Sequence, residues 1–198
     1  MIAWGVCQFR GLASVTPSVS NISPSIGALE IDFDHHGLFN VLVADMAELL
    51  ESIAGVEDAC AYVSGIAARL GTDIEKQYKT ALGVQRLNRD QLLEILIDLK
   101  NRAGGAFSIV EQDEDRVVFS NCACPLGRAA ANHPSLCMLT SNIFGRLTAN
   151  AVGYAAVDLE ETIASGAAEC RVVLHLKRIE PGPGTREYYR DDASAASA

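Results

Sequence analysis

The sequence predicts an α+β domain in which N-terminal helices pack on one face of an antiparallel sheet, with a further helix between two hairpins. Three observations lead there. Apolar residues recur at helical spacing from Leu38 to Leu99, the period changes to two after Gly104-Gly105, and a helical stretch opened by Pro134 separates two pairs of short β-type runs.

The first helix runs from Asp34 to about Gly55, where Leu38, Val41, Leu42, Leu49 and Ile53 fall mostly on one face and Asp45, Glu48 and Glu51 lie elsewhere. His35 and His36 read as solvated capping residues rather than a metal or base pair, because neighbours on a helix point about 100° apart. In the second helix Val56, Ala59, Cys60, Val63, Ile66, Ala67, Leu70 and Ile74 follow the i, i+3, i+4, i+7 rule, which places Cys60 in a core stripe. The third has readable ends. Asn88 caps it, Gln91 returns the bond, Leu92, Ile95, Leu96 and Leu99 form the stripe, and Gly104-Gly105 stops it.

Ala106 to Val110 and Arg116 to Ser120 are strands joined by the acidic turn EQDED, which lacks the glycine and terminal glutamate of a calcium loop and reads as solvated. The Pro134 helix continues to about Asn150 on a stripe of Leu136, Leu139, Ile143 and Leu147. Strands near Tyr154 to Ile163 and Cys170 to Ile179 then flank a turn at Ser165-Gly166. Residues 1–29, rich in Ser, Pro and Gly, read as a flexible leader. Residues 181–198, with repeated Pro-Gly and small polar residues, read as a disordered tail, which leaves 30–180 as a single sensory or output domain.

A formal charge of −9, with basic residues scattered singly, would repel a phosphate backbone, so no direct nucleic-acid partner is expected. No apolar run is long enough for a membrane span, and the opening lacks the pattern of an export signal. A cytoplasmic location follows as the expectation. Thiols stay reduced there, so grouped cysteines read first as ligands.

Cys122, Cys124, Cys137 and Cys170 crowd the C-terminal half. Alternation in an extended stretch would point Cys122 and Cys124 the same way, Cys137 sits in the first turn of the Pro134 helix, where helix amides favour a thiolate, and Cys170 opens the last strand in phase with Val172 and Leu174. That phase aims Cys170 inward, while His175 takes the outer face. A strand exit, a helix start and a strand start brought together would supply three thiolates for zinc or an iron–sulfur cluster, with Cys122, His133 or an outside ligand as the fourth. The alternative is that Cys170 is merely a small buried hydrophobe and the others are incidental; Cys60, in its core stripe, and Cys7, in the leader, read as structural or incidental.

The stretch from Asn121 to Leu176 resembles the methanogen output domain family of regulatory domains, through Cys124-Pro125, Leu136-Cys137 and the Gly166 to Cys170-Arg171 element. It is also similar to the C-terminal sensor region of winged-helix repressors that hold an iron–sulfur cluster, and distantly to 4-vinyl-reductase-type ligand-binding domains, some of which carry a structural zinc. The resemblance implies a sensory or output fold. Its partners would be a protein of a signalling pathway or, by homodimer formation, a second copy of this chain.

The leading expectation is therefore a sensory or signal-output domain in which Cys124, Cys137 and Cys170, assisted by Cys122 or His133, hold a metal or iron–sulfur centre. A second is a module for a small apolar ligand with a structural zinc. A third, ranked last, is an enzyme with Cys137 as nucleophile and His133 or His175 as base. No phosphate loop, HExxH or nucleophile elbow occurs, so the chain is not expected to be an enzyme.

Overall fold

The computed structural model describes residues 34–190, so the expected leader lies outside the described residues. Four α-helices and five strands follow in the order α1 His35–Ala54, α2 Val56–Leu82, α3 Arg89–Arg102, β1 Phe107–Gln112, β2 Arg116–Asn121, α4 Met138–Val152, β3 Tyr154–Glu161, β4 Cys170–His175 and β5 Arg186–Tyr189. The strands form one antiparallel sheet in the order β1-β2-β4-β3-β5. This is the expected α+β class, with helices preceding the sheet and one helix between its hairpins.

Local chemistry sets the helix ends. The Asp34 side chain accepts from the Gly37 amide at 2.7 Å and caps α1. Asn88 and Gln91 form the reciprocal capping box of α3. Past its last turn Gly104 takes φ +86, a conformation that glycine adopts without a Cβ clash. The EQDED turn closes through Asp113, whose carboxylate accepts from the amides of Asp115 and Arg116, both at 2.8 Å.

The core lies between the sheet and α4. Phe107 of β1, Val117 and Phe119 of β2, Val172 and Leu174 of β4, Ala155 and Val157 of β3 and Tyr188 of β5 face it. Phe144 of α4 meets Phe119 and Phe107 edge to face, with centroids 5.0 and 5.8 Å apart. On its other side α4 packs on α2. Gly71 sits under Leu147 and Ile143, Asn142 donates to the Ser64 hydroxyl, and Asn150 donates to the buried Glu75 carboxylate, which also pairs with Lys79 at 2.5 Å. Covered from both sides, α4 is buried along nearly its whole surface.

Two expectations change here. The tail does not begin at 181, because Arg186–Tyr189 pairs with β3 in full register. The physical reason is Tyr188: its ring lies over Gly145, and its hydroxyl shares a 2.8 Å hydrogen bond with Ser141. The second concerns α1, whose apolar stripe does not enter the core. Leu42, Met46, Leu49 and Ile53 are 54, 60, 60 and 76% exposed, and Ala47 is the buried residue of the helix. α1 packs against α2 through Ala47's side and is tied further by Glu51, whose carboxylate accepts from the Ser135 hydroxyl and amide and pairs with His133.

A Cβ at position 145 would stand 2.0 Å from the Tyr188 ring. Gly145→Ala is therefore expected to expel β5 or shift α4, lowering stability by about 1–3 kcal/mol. Urea unfolding of this variant and of Tyr188→Ala, whose smaller side chain relieves the clash in the double variant, checks it: the two losses should be strongly non-additive.

Candidate functional site

A cavity of about 250 Å³ is lined by residues of the sheet, α1, α2, α3 and α4. Its position follows from register. Asn121, the last residue of β2, pairs with Cys170, the first of β4, and both line the cavity. The Asn121 Oδ1 accepts from the amides of Ala106 and Ala123 and so bends the chain as it leaves β2. That bend turns Cys124 and Pro125 into the cavity. Cys137 comes from a 3-10 turn, Pro134–Cys137, that leads into α4.

Three of the four crowded cysteines therefore converge. Cys124, Cys137 and Cys170 line the same cavity, and the inward phase expected for Cys170 is what the strand shows. Cys122 is exposed and lies outside it. The expected shared direction of Cys122 and Cys124 fails because regular β alternation ends at Asn121. His133 is likewise not among the lining residues, since its Nδ1 is 3.0 Å from the Glu51 carboxylate. His175 is on the other face of the sheet's alternation, paired with Asp158 at 2.9 Å. Cys60 is half-buried on α2.

Two of these thiols, Cys137 and Cys170, are raised above the ordinary thiol value. Burial pushes Cys137 up to about 11, the adjacent Cys170 and Cys124 add to the rise, and the Thr162 hydroxyl and Lys100 oppose it. This corrects the expectation of an easily ionised thiol at a helix start. Cys137 is the N-cap of α4, but its side chain makes no capping hydrogen bond, and loss of water dominates. Burial raises Cys170 as well, against a hydrogen bond from the Ile163 amide to its sulfur at 3.3 Å.

One lining residue was missed by sequence reasoning. Lys100, 7% exposed, continues the α3 stripe four residues after Leu96, and its ammonium donates to the Thr140 hydroxyl at 2.6 Å. It also lies 5.2 and 5.4 Å from the centroids of Phe107 and Phe144. Burial pulls it down to about 8, and the three thiols act in the opposite sense. The signal the sequence carries for it is a charged residue at a core position of the i, i+4 pattern.

As a donor set, three thiols suit a soft metal. As placed here, though, no group of three His, Cys, Asp or Glu side chains among the described residues stands ready to hold a metal ion, so a shared ion requires the Cys124 segment to close on the other two. No helix of the described residues is long and apolar enough to cross a membrane.

The model of the family methanogen output domain 1 matches residues 42–175, a span that contains the three converging cysteines, Lys100 and most of the sheet. The chain belongs to that family. No curated protein matches it.

Glu51 offers a pH test of how the 3-10 turn is anchored. Burial works against its ionisation, but hydrogen bonds from Ser135 and His133 outweigh that and hold the carboxyl below its ordinary 4.5. A depressed folded-state value means that the contribution is complete above about pH 4.5 and is lost as the pH falls through the lower value. Glu51→Gln is expected to destabilise by about 1–2 kcal/mol at pH 7. In urea titrations the gap from the unaltered chain should close as the pH drops below 4.5.

Proposed function

We propose, from membership of the methanogen output domain family, that this regulatory domain reads its input at the cavity of Cys124, Cys137 and Cys170 and passes it to a partner protein of a signalling pathway. The observation that supports this is the convergence of three thiols from remote segments on one buried cavity. The cavity is joined to the helices through α4, so a change in packing at the Cys137 turn reaches α2 directly.

The occupant proposed for the thiols is a zinc ion or an iron–sulfur cluster, which when bound would tie the exit of β2, the start of β4 and the turn before α4 together. The chain must meet two conditions. The segment carrying Cys124, which lies beyond the end of β2, must close on Cys137 and Cys170. The protons of the thiols must also leave, and Lys100 provides the positive charge beside them that an apolar cavity otherwise lacks. A regulatory rather than catalytic role is proposed because the Cys137 thiol, pushed up to about 11, is the reverse of an activated nucleophile. A second reading, a small apolar ligand in the same cavity, is favoured by its lining of Leu70, Ile74, Leu99, Leu139 and Ile143.

Self-association is proposed through α1. Phe39, Leu42, Met46, Leu49 and Ile53 are exposed and alternate by three and four residues, the spacing of a two-helix seam, and a second α1 would cover it. Leu49→Glu is expected to convert dimer to monomer in sedimentation equilibrium; an unaltered chain that is already monomeric at tens of micromolar contradicts it.

Metal analysis and the visible spectrum of protein prepared without oxygen test the centre. About one equivalent of zinc or iron–sulfur cluster per chain is expected, lost in Cys124→Ser, Cys137→Ser and Cys170→Ser and retained in Cys122→Ser and His133→Ala. A colourless, metal-free protein whose unfolding ignores chelators contradicts it.

A further inference from the structure

Lys100 is the one charged side chain among the described residues that line the cavity. It is nine-tenths buried, and no carboxylate among the described residues pairs with it. An ammonium has three donors. One is satisfied by the Thr140 hydroxyl, and the two aromatic rings give only diffuse attraction. Burying a cation without an anion is unfavourable enough that such groups are normally paired. The fold nevertheless places this one on α3, lining a cavity that it shares with three thiols, Thr140 and many apolar side chains and, among the described residues, with no carboxylate.

We infer that the cavity binds a small organic acid, with its carboxylate on Lys100 and Thr140 and its apolar body among Leu70, Ile74, Leu99, Leu139 and Ile143. The lining argues for the class. Two unused donors on a single cation match the two oxygens of one carboxylate, whereas a phosphate would bring more charge and more acceptors than the site can satisfy. Asn121 supplies no charge in its place: its Oδ1 accepts from two backbone amides and its side chain also bonds the Cys170 sulfur. The volume sets the size. About 250 Å³ is the room of roughly eight waters at about 30 Å³ each, which suits an acid of about that many non-hydrogen atoms. A longer chain would have to leave past Phe39, which is half exposed and also lines the cavity.

This inference rests on the cavity as the input site but not on a metal there. The test is calorimetric titration of the full chain, treated with chelator, with hexanoate and benzoate and with the uncharged hexanol and benzyl alcohol. Each acid is expected to bind at least tenfold more tightly than its alcohol, and Lys100→Met to bring that ratio to about one while leaving the alcohols bound. Should Lys100→Met fail to fold, Lys100→Gln carries the same expectation. An alcohol equal to or tighter than its acid in the unaltered chain, an acid preference that survives both substitutions, or no saturable binding of any of the four at millimolar concentration overturns the inference. Because chelated protein is used, failure here leaves the metal reading standing, and metal-free protein in the earlier assay leaves this inference standing.

Discussion

The burial of α4 between the sheet and α2 is the constraint on which the remainder of the domain depends. Phe144 is fully buried against Phe107 and Phe119, a contribution of about 1.5–3 kcal/mol from its side chain alone. The adjacent Gly145 has no side chain, which lets the Tyr188 ring approach and β5 complete the sheet. Two residues to either side, and so on the other face of the helix, Ile143 and Leu147 close over Gly71, so that α2 can approach in turn. A helix fixed on both sides also fixes its own first turn, and with it Thr140 and Cys137. The placement of one thiol is thus a consequence of core packing that occurs more than one helical turn further along.

The cavity arises where this packing runs out. α3 ends at Arg102, β2 ends at Asn121 and β4 begins at Cys170, and Lys100, Asn121 and Cys170 from these ends join Cys124, Cys137 and Thr140 in a space otherwise lined by apolar side chains. In such surroundings neutral forms are favoured, so burial raises Cys137 and Cys170 and Lys100 retains its charge less firmly than a solvated lysine. Any occupant that brings charge, whether a cation on the sulfurs or an anion on the ammonium, changes that balance. The Cys137 turn lies between the cavity and the Glu51 contact with α1, which gives the change a short mechanical route to the exposed apolar face of that helix.

Much of the fold was legible because local signals agreed with the tertiary outcome. The Asn88–Gln91 box, the glycine pair after α3, the period-two runs around EQDED and Pro134 all mark elements within a few residues of where they stand. β5 was hidden by its context. Its Pro-Gly repeats signal a loop, and only the Tyr188-Tyr189 pair, whose first ring needs the bare backbone of Gly145, carried contrary information. α1 misled for the opposite reason: periodicity shows that one face is apolar without showing what covers it. At the site, strand phase correctly aimed Cys170, but alternation could not be carried past Asn121 to Cys122 and Cys124. Helix-start electrostatics could not outweigh the burial of Cys137, which depends on neighbours remote in sequence. Lys100 was legible in principle, as a charge at a stripe position.

The central claim is that Cys124, Cys137 and Cys170 share one space. Arsenite tests it most directly, because arsenous acid condenses with three thiols at one point, forming three As–S bonds and releasing three waters. In a Cys7→Ser, Cys60→Ser, Cys122→Ser background, native mass spectrometry should find one tightly bound arsenic per chain. That arsenic should protect all three remaining thiols from alkylation and be lost when any one of them is changed to serine. A chain that binds no arsenic, or one whose three thiols stay open to alkylation in its presence, would contradict the account.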